Sequence, residues 1–271
     1  MTEPTALAIR NAHPRDKHVQ FDEGPHIYTV HGNSKNVSVT TLVHQCFPSF
    51  DSQKIVDGIM KGSKMNDPEY KYYGMTSEQI QAEWKQNGEK AASAGTKMHY
   101  DIECYYNGLQ VENTSVEFNY FMKFTQDYPE LEAYRTEWVV FYENIRLAGS
   151  IDMVFYNKET GFYEIYDWKR VLNIQFDSFK KTDVGITEFL QETPNTNFWH
   201  YTLQLNIYKK ILQDKYGMTI QRMFLIVLHP ENEYKSYQRL EVPDFQDKVE
   251  ALFEMRRQQL VSGNSEPVDK H

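Results

Sequence analysis

The residue types with the most chemical potential in this chain are Asp152, Asp167 and Lys169. In the run FYEIYDWKR, residues 162–170, strand alternation places Tyr163, Ile165, Asp167 and Lys169 on one face, so the carboxylate and the ammonium are neighbours by geometry. Asp152 interrupts an otherwise apolar run, Ile151 to Tyr156, in the segment just upstream. A carboxylate inside a central strand is costly to bury unless it is paired or binds a metal. Two carboxylates beside a lysine suit a hard divalent cation such as Mg²⁺ or Mn²⁺, one ion or two, which would polarise a phosphate and acidify a bound water while Lys169 orients or deprotonates that water. An Asp-x-Lys alone is common and equally describes a surface pair on an edge strand. The upstream Gly149-Ser150-Ile151-Asp152 at hairpin distance shifts the balance toward a site.

The elements needed to position these residues are legible. RTEWVVFYE (135–143), LAGSIDMVFY (147–156) and FYEIYDWKR (162–170) read as strands, with the turn formers of 157–161 joining the last two as a hairpin. A helix is expected around 115–127, an amphipathic helix over 198–217 closed by Gly217, strands at 223–229 and 234–242, and a terminal helix over 244–260. Residues 171–197 read as loop with a short helical piece. Upstream, HIYTVHG (26–32) and VSVTTLV (37–43) read as two paired strands leading into a helix. The polar stretch 50–94 reads as a helical lobe, and 95–108 as a short helix with Thr96 as N-cap and Gly108 after its end. The expected architecture is α/β, a central mixed sheet flanked by helices, with an N-terminal β-hairpin and helical lobe. The domain reading is a poorly ordered leader (1–18), a hairpin and helical lobe (19–94) that caps and guides a substrate, and a core (95–271).

At this point the sequence resembles a family. Gly149-Ser150-Ile151-Asp152 followed by Tyr166-Asp167-Trp168-Lys169 is similar to the PD-(D/E)xK nuclease signature, with Ile151 where the family name has proline. Gly95-Thr96-Lys97-Met98-His99 with Glu103 upstream, and Gln204 with Tyr208 downstream, resemble the flanking helix motifs of the RecB-like exonuclease branch, which includes viral, phage and mitochondrial genome-maintenance enzymes. The resemblance implies a restriction-endonuclease-like core and a metal held by His99, Asp152, Asp167 and the Trp168 carbonyl. It also implies that Gln204 reaches the active site. The implied activity is hydrolysis of DNA at ends or on single strands during replication, recombination or repair, with a single-strand-annealing or replication protein as a partner. Glu103 serves either as a ligand, as a support for His99, or as a solvated residue. Glu137 matches an acidic position of the resemblance, while Glu143 and Glu164 are alternatives by composition and Glu164 has the opposite parity to Asp167. A structure-specific endonuclease on the same core and a non-catalytic nucleic-acid-binding protein are the rival readings.

Composition narrows the setting. The net charge of −9 argues against a protein that coats nucleic acid and confines binding to a local groove. Lys180, Lys181, Lys209, Lys210 and Lys215 are candidates for phosphate contacts, Thr96 is a further candidate for nucleic-acid contact, and Trp84, in a lobe mixing lysines and aromatics, is a candidate for base stacking. The only cysteines, Cys46 and Cys104, cannot build a four-thiolate zinc or iron–sulfur site. No secretory signal or membrane span is read, so a reducing intracellular compartment is expected.

Overall fold

A computed structural model describes residues 4–263. The chain divides into two units, one taking in the chain up to Pro48 and from His99 onward, the other Ser49–Met98. The first unit is built on a six-stranded mixed sheet. Its strands are β3 (Val37–Ser38), β4 (Leu131–Tyr142), β5 (Leu147–Asn157), β6 (Phe162–Lys169), β7 (Ile220–Val227) and β8 (Gln238–Glu241). A separate hairpin pairs β1 (Val19–Asp22) with β2 (Ile27–Val30). Helices α1 (Ala6–Arg10), α2 (Val39–His44), α5 (Val116–Asp127), α6 (Asn197–Tyr216) and α7 (Gln246–Val261) belong to this unit. No helix among the described residues is long and apolar enough to cross a membrane.

Strand β5 is the spine of the sheet. Antiparallel β4 covers one of its edges from Leu147 to Asn157. The other edge is shared: β3 lies parallel to Leu147 and Ala148, and β6 pairs antiparallel with Met153 to Asn157. Residues 149–152, Gly149 to Asp152, therefore face a gap between two neighbours. β6 continues parallel to β7, with α6 as the crossover, and β8 closes the edge.

The two faces of the sheet are packed differently. Ile151, Val154 and Ile165 meet Leu203, Ile207 and Ile211 of α6 and Val249 and Phe253 of α7 in the main aliphatic core. The opposite face is aromatic: Trp168 packs edge-on against Phe121 and Phe124 of α5 with ring centroids 5.7 and 5.6 Å apart, and Phe155 meets Tyr166 at 5.0 Å. Much of the high aromatic content is thus core, and only part of it is surface for a ligand.

Three upstream expectations need correction. The described part of the leader, residues 4–18, is not loose. Leu7 is buried and its N–H donates to Asn107 Oδ1 at 2.8 Å, and Asn11 Nδ2 donates to the Tyr134 carbonyl at 2.7 Å. Asp16 accepts from Arg135 Nη1 at 2.8 Å and Trp138 Nε1 at 2.9 Å. The hairpin partner is also different: 27–30 pairs with 19–22, while Val39 to His44 is helical. Ser38 Oγ caps that helix by accepting from the Thr41 N–H at 3.0 Å, and burial of Val39, Leu42 and Val43 overrides their strand preference. The hairpin accordingly groups with the sheet unit and not with the helical segment.

The third concerns Thr96. In place of a short helix capped there, α4 runs unbroken over 30 residues from Ser77 to Tyr106. The strong helix formers Glu89, Lys90, Ala91, Ala92 and Ala94 carry it across, so Thr96 is interior to a helix and caps nothing. Gly108, at φ +74°, does end it as expected. In the second unit, α4 is preceded by α3 (Ser52–Met60) and the Trp84 indole N–H donates to the Tyr72 hydroxyl at 2.8 Å.

The docked leader predicts its own energetics. Burial pushes the Asp16 carboxyl up, but the hydrogen bonds from Arg135, the His13 N–H and Trp138 outweigh it and hold its pKa below the ordinary 3.8. Its contribution is therefore present at neutral pH and is lost as acid protonates it. Asp16→Ala should cost about 2 kcal/mol at pH 7, because it strands the buried Arg135 guanidinium, and the gap to wild type should narrow in acid. Urea denaturation at neutral and acid pH reads both; equal midpoints at pH 7 would mean that the leader is not anchored through this carboxylate.

Candidate metal centre

The candidate site forms where the β5–β6 ladder stops. Pairing ends at Met153 with Tyr166, and beyond it the main chain of Trp168 is taken up by side chains. Asp152 Oδ2 accepts from the Trp168 N–H at 2.9 Å, and His99 Nε2 lies 2.9 Å from the Trp168 carbonyl oxygen. The other ring nitrogen, Nδ1, is 3.5 Å from Asp152 Oδ2 and 3.6 Å from Glu137 Oε1. His99, Glu137 and Asp152 each offer a ligand atom, all within 4.8 Å of one another.

Glu137 reaches this cluster through its backbone. It sits in the middle of β4 at φ +40°, a left-handed conformation uncommon for a side-chain-bearing residue and rare within a strand. Such strain is held only where the surroundings impose it. Ser150 Oγ, on the adjacent strand, donates to Glu137 Oε2 at 3.1 Å and fixes the carboxylate. Of the three acidic alternatives, Glu137 is the one in the cluster. Glu143 pairs with Arg15 at 2.8 Å. Glu164, as its parity predicts, lies on the other face, fully buried, accepting from the Asn157 amide at 3.1 Å and the Tyr166 hydroxyl at 2.9 Å.

Asp167 and Lys169 share a face of β6, as alternation predicts. Lys169 Nζ is 2.6 Å from Asp167 Oδ2, so the buried carboxylate and the ammonium form a close charge pair. The Lys169 ammonium also lies 4.5 Å from the centre of the Tyr201 ring. Tyr201 was not anticipated from the sequence; its only signal is that it precedes Gln204 by three positions on the same helix. Gln204 hydrogen-bonds the buried Tyr208 hydroxyl, and the charges of Asp152 and Asp167 are felt at that ring.

The electrostatics are those of crowded carboxylates in a partly buried site. Burial pushes the Asp152 carboxyl up and the Glu137 charge adds to it, with His99 and Lys169 opposing. For Asp167, burial outweighs the Lys169 ammonium and lifts it to about 6. Burial lowers the His99 imidazole, but the Asp152 and Glu137 charges overcome it and raise it to about 9. Asp167 and Asp152 likewise outweigh desolvation and hold Lys169 protonated. Glu103, one helical turn beyond His99, is lifted to about 7 by burial and the Glu137 charge; it adjoins the cluster without completing it.

Gly149 explains how α6 comes so close. A Cβ there would lie 2.8 Å from the Tyr208 hydroxyl oxygen and 2.9 Å from both Tyr208 Cε1 and Val39 Cγ2. Gly149→Ala should cost about 1 to 3 kcal/mol, since the ring and the valine are both packed and cannot swing aside. Guanidinium unfolding measures this; an unchanged midpoint would show that α6 yields there.

The remaining candidates are not gathered at the site. Lys209 pairs with Asp244 at 2.7 Å, Lys210 with Glu250 at 2.8 Å and Asp214 at 3.0 Å, and Lys215 with Glu143 at 3.5 Å. The lysines of α6 thus stand in ion pairs, with Asp214 on the same helix and with Asp244, Glu250 and Glu143 outside it. Lys180 and Lys181 lie exposed on the loop after β6. Thr96 and Trp84 belong to the second unit.

No family model matches the chain, and no curated protein matches it. Among solved structures it is similar to the crystal structure of SSO0001, at 13% identity over 87% of this chain and 80% of that one, with a TM-score of 0.36. A likeness at that level carries no argument about the fold or the chemistry.

Proposed function

We propose that this chain is a metal-dependent deoxyribonuclease with a restriction-endonuclease-like core of the PD-(D/E)xK type, RecB-like branch, hydrolysing DNA at ends or on single strands. The observation that carries the reading is the convergence of His99, Glu137 and Asp152 within 4.8 Å beside the buried Asp167–Lys169 pair. The donor set fits a divalent cation. Glu137 and Asp152 crowd their charges together, and burial with the Glu137 charge already holds Asp152 above its ordinary range, a repulsion that a cation would neutralise. One imidazole among oxygen ligands favours Mn²⁺ slightly relative to an all-oxygen set and remains compatible with Mg²⁺.

His99, through Nδ1, with Glu137 and Asp152 would hold the ion, while the Trp168 carbonyl stands against the other ring nitrogen of His99 and Asp167 stays paired with Lys169. When bound, such a cation polarises a phosphate and lowers the pKa of a water. Lys169, kept protonated by Asp167 and steadied by Tyr201, donates to the attacking water or to the charge growing on the phosphate, which assigns it an electrostatic and orienting role in place of a base. Gln204 holds Tyr208 against Gly149, which keeps α6 on the sheet beside the lysine.

The test is digestion of linear and covalently closed circular DNA by the purified chain, with Mg²⁺ or Mn²⁺ and with EDTA. Metal-dependent loss of linear DNA with circles spared is the expected result. Efficient cutting of circles would overturn the exonuclease assignment and favour an endonuclease. Absence of cleavage with either ion would overturn the enzyme reading.

A further inference from the structure

The loop between β6 and α6 carries the most exposed large apolar side chain among the described residues: Phe179, at 101% relative exposure. Its setting is built at both ends. On one side, the Trp199 indole N–H donates to the Phe176 carbonyl at 2.8 Å, Gln175 N–H donates to Asn197 Oδ1 at 2.9 Å, and Phe176 stacks near Phe198 with centroids 4.5 Å apart. On the other side, Asn195 N–H donates to the Asp183 carbonyl at 2.9 Å and Gly185 N–H to the Thr193 carbonyl at 3.0 Å. Residues 177–182 are left as a projecting tip, with Phe179 followed directly by Lys180 and Lys181. Neither lysine has an ion pair among the described residues, whereas those of α6 do.

This tip is tied to the candidate site. Its loop leaves the sheet after Lys169, and the first turn of α6 that anchors it lies one turn before Tyr201, the ring beneath the Lys169 ammonium. One helical turn and three extended loop residues reach at most roughly 15 Å, on the order of four base steps. An aromatic ring held in water on a restrained base, next to unpaired cations, matches the chemistry of an unpaired base and its flanking phosphates. A buried protein interface would instead deplete the lysines.

We infer that the 177–182 tip is a substrate-binding element in which Phe179 stacks on an unpaired nucleobase and Lys180 and Lys181 contact neighbouring phosphates. This rests on the nuclease reading above and assigns the element that would take hold of the unpaired strand. Because Phe179 is fully exposed, Phe179→Ala leaves the fold intact.

The experiment measures binding of a fluorescein-labelled oligo-dT strand in EDTA, and cleavage of the same strand by wild type in Mn²⁺. Phe179→Ala should weaken binding by roughly tenfold. Phe179→Trp should retain it, with indole emission quenched on saturation. Lys180→Gln with Lys181→Gln should lower the slope of log Kd against log salt by about 1.4. Wild-type cleavage together with unchanged affinity of Phe179→Ala overturns this inference alone, and is the outcome expected if the tip serves a protein partner. A wild type that neither cleaves nor binds overturns both readings.

Discussion

Asp152→Ala should abolish metal-supported cleavage of linear DNA, a loss of roughly three orders of magnitude or more, while leaving the chain folded. Asp152 is the point where the site's contacts meet. Its carboxylate holds the Trp168 N–H, lies 3.5 Å from His99 and shares the cluster with Glu137. The same crowding gives the prediction a second readout. Without metal, removing one of several buried negative charges relieves repulsion and offsets the loss of the Trp168 hydrogen bond, so the melting temperature should barely fall. With metal, wild type should gain stability in proportion to the logarithm of metal concentration, and the variant should not. Thermal scans with and without Mn²⁺ separate the two effects. An undiminished Mn²⁺-induced rise in the variant would remove Asp152 from the ligand set.

Lys169→Met should be the most damaging change on β6, in both activity and stability. Breaking a buried ion pair by removing one partner costs about 3 to 5 kcal/mol, because the remaining charge is left uncompensated. Here the stranded group is Asp167, 2% exposed and already raised by its surroundings, so protonation limits the cost to the lower end of that range. On the proposed reading the loss of cleavage should be about a thousandfold or more, because the ammonium beside the carboxylates is gone. Adding Asp167→Asn to Lys169→Met should restore much of the stability and none of the activity. Denaturant midpoints of the two single variants and the double variant form the cycle. A fully additive cycle would show that the pair is not coupled.

The sequence carried the sheet well because its information there is local. Alternation in 162–170 placed Asp167 and Lys169 together and sent Glu164 to the other face, as the structure has them. The helices at 116–127, 197–216 and 246–261 fell where expected, with Gly217 ending the second, although α6 is buried on most sides and not along one stripe. Errors appeared where tertiary contacts decide. Nothing in VSVTTLV reveals that Ser38 caps a helix or that Val39 will be buried. Nothing in the leader reveals that Asp16 will find Arg135, 119 residues away. Glu137 could be nominated but not distinguished from Glu143, since what selects it is a left-handed backbone within a strand, and glutamate gives no local sign of that. Tyr201 escaped notice because an aromatic on a helix is ordinarily core, and its role depends on a lysine from another element.

The interrupted edge of β5 has a bearing on how this chain would respond to selection. Between Ala148 and Met153 the spine of the sheet has a hydrogen-bonding neighbour on one side only, and Asp152 and His99 occupy the groups of Trp168 that a longer ladder would have consumed. Substitutions that let β5 and β6 zip together past Met153 would make a tighter sheet and displace the acids from their shared centre. Thermostability and chemistry are therefore opposed at this one break. Variants selected for heat resistance alone should accumulate changes at residues 150–152, and surrender the proposed metal site as they do.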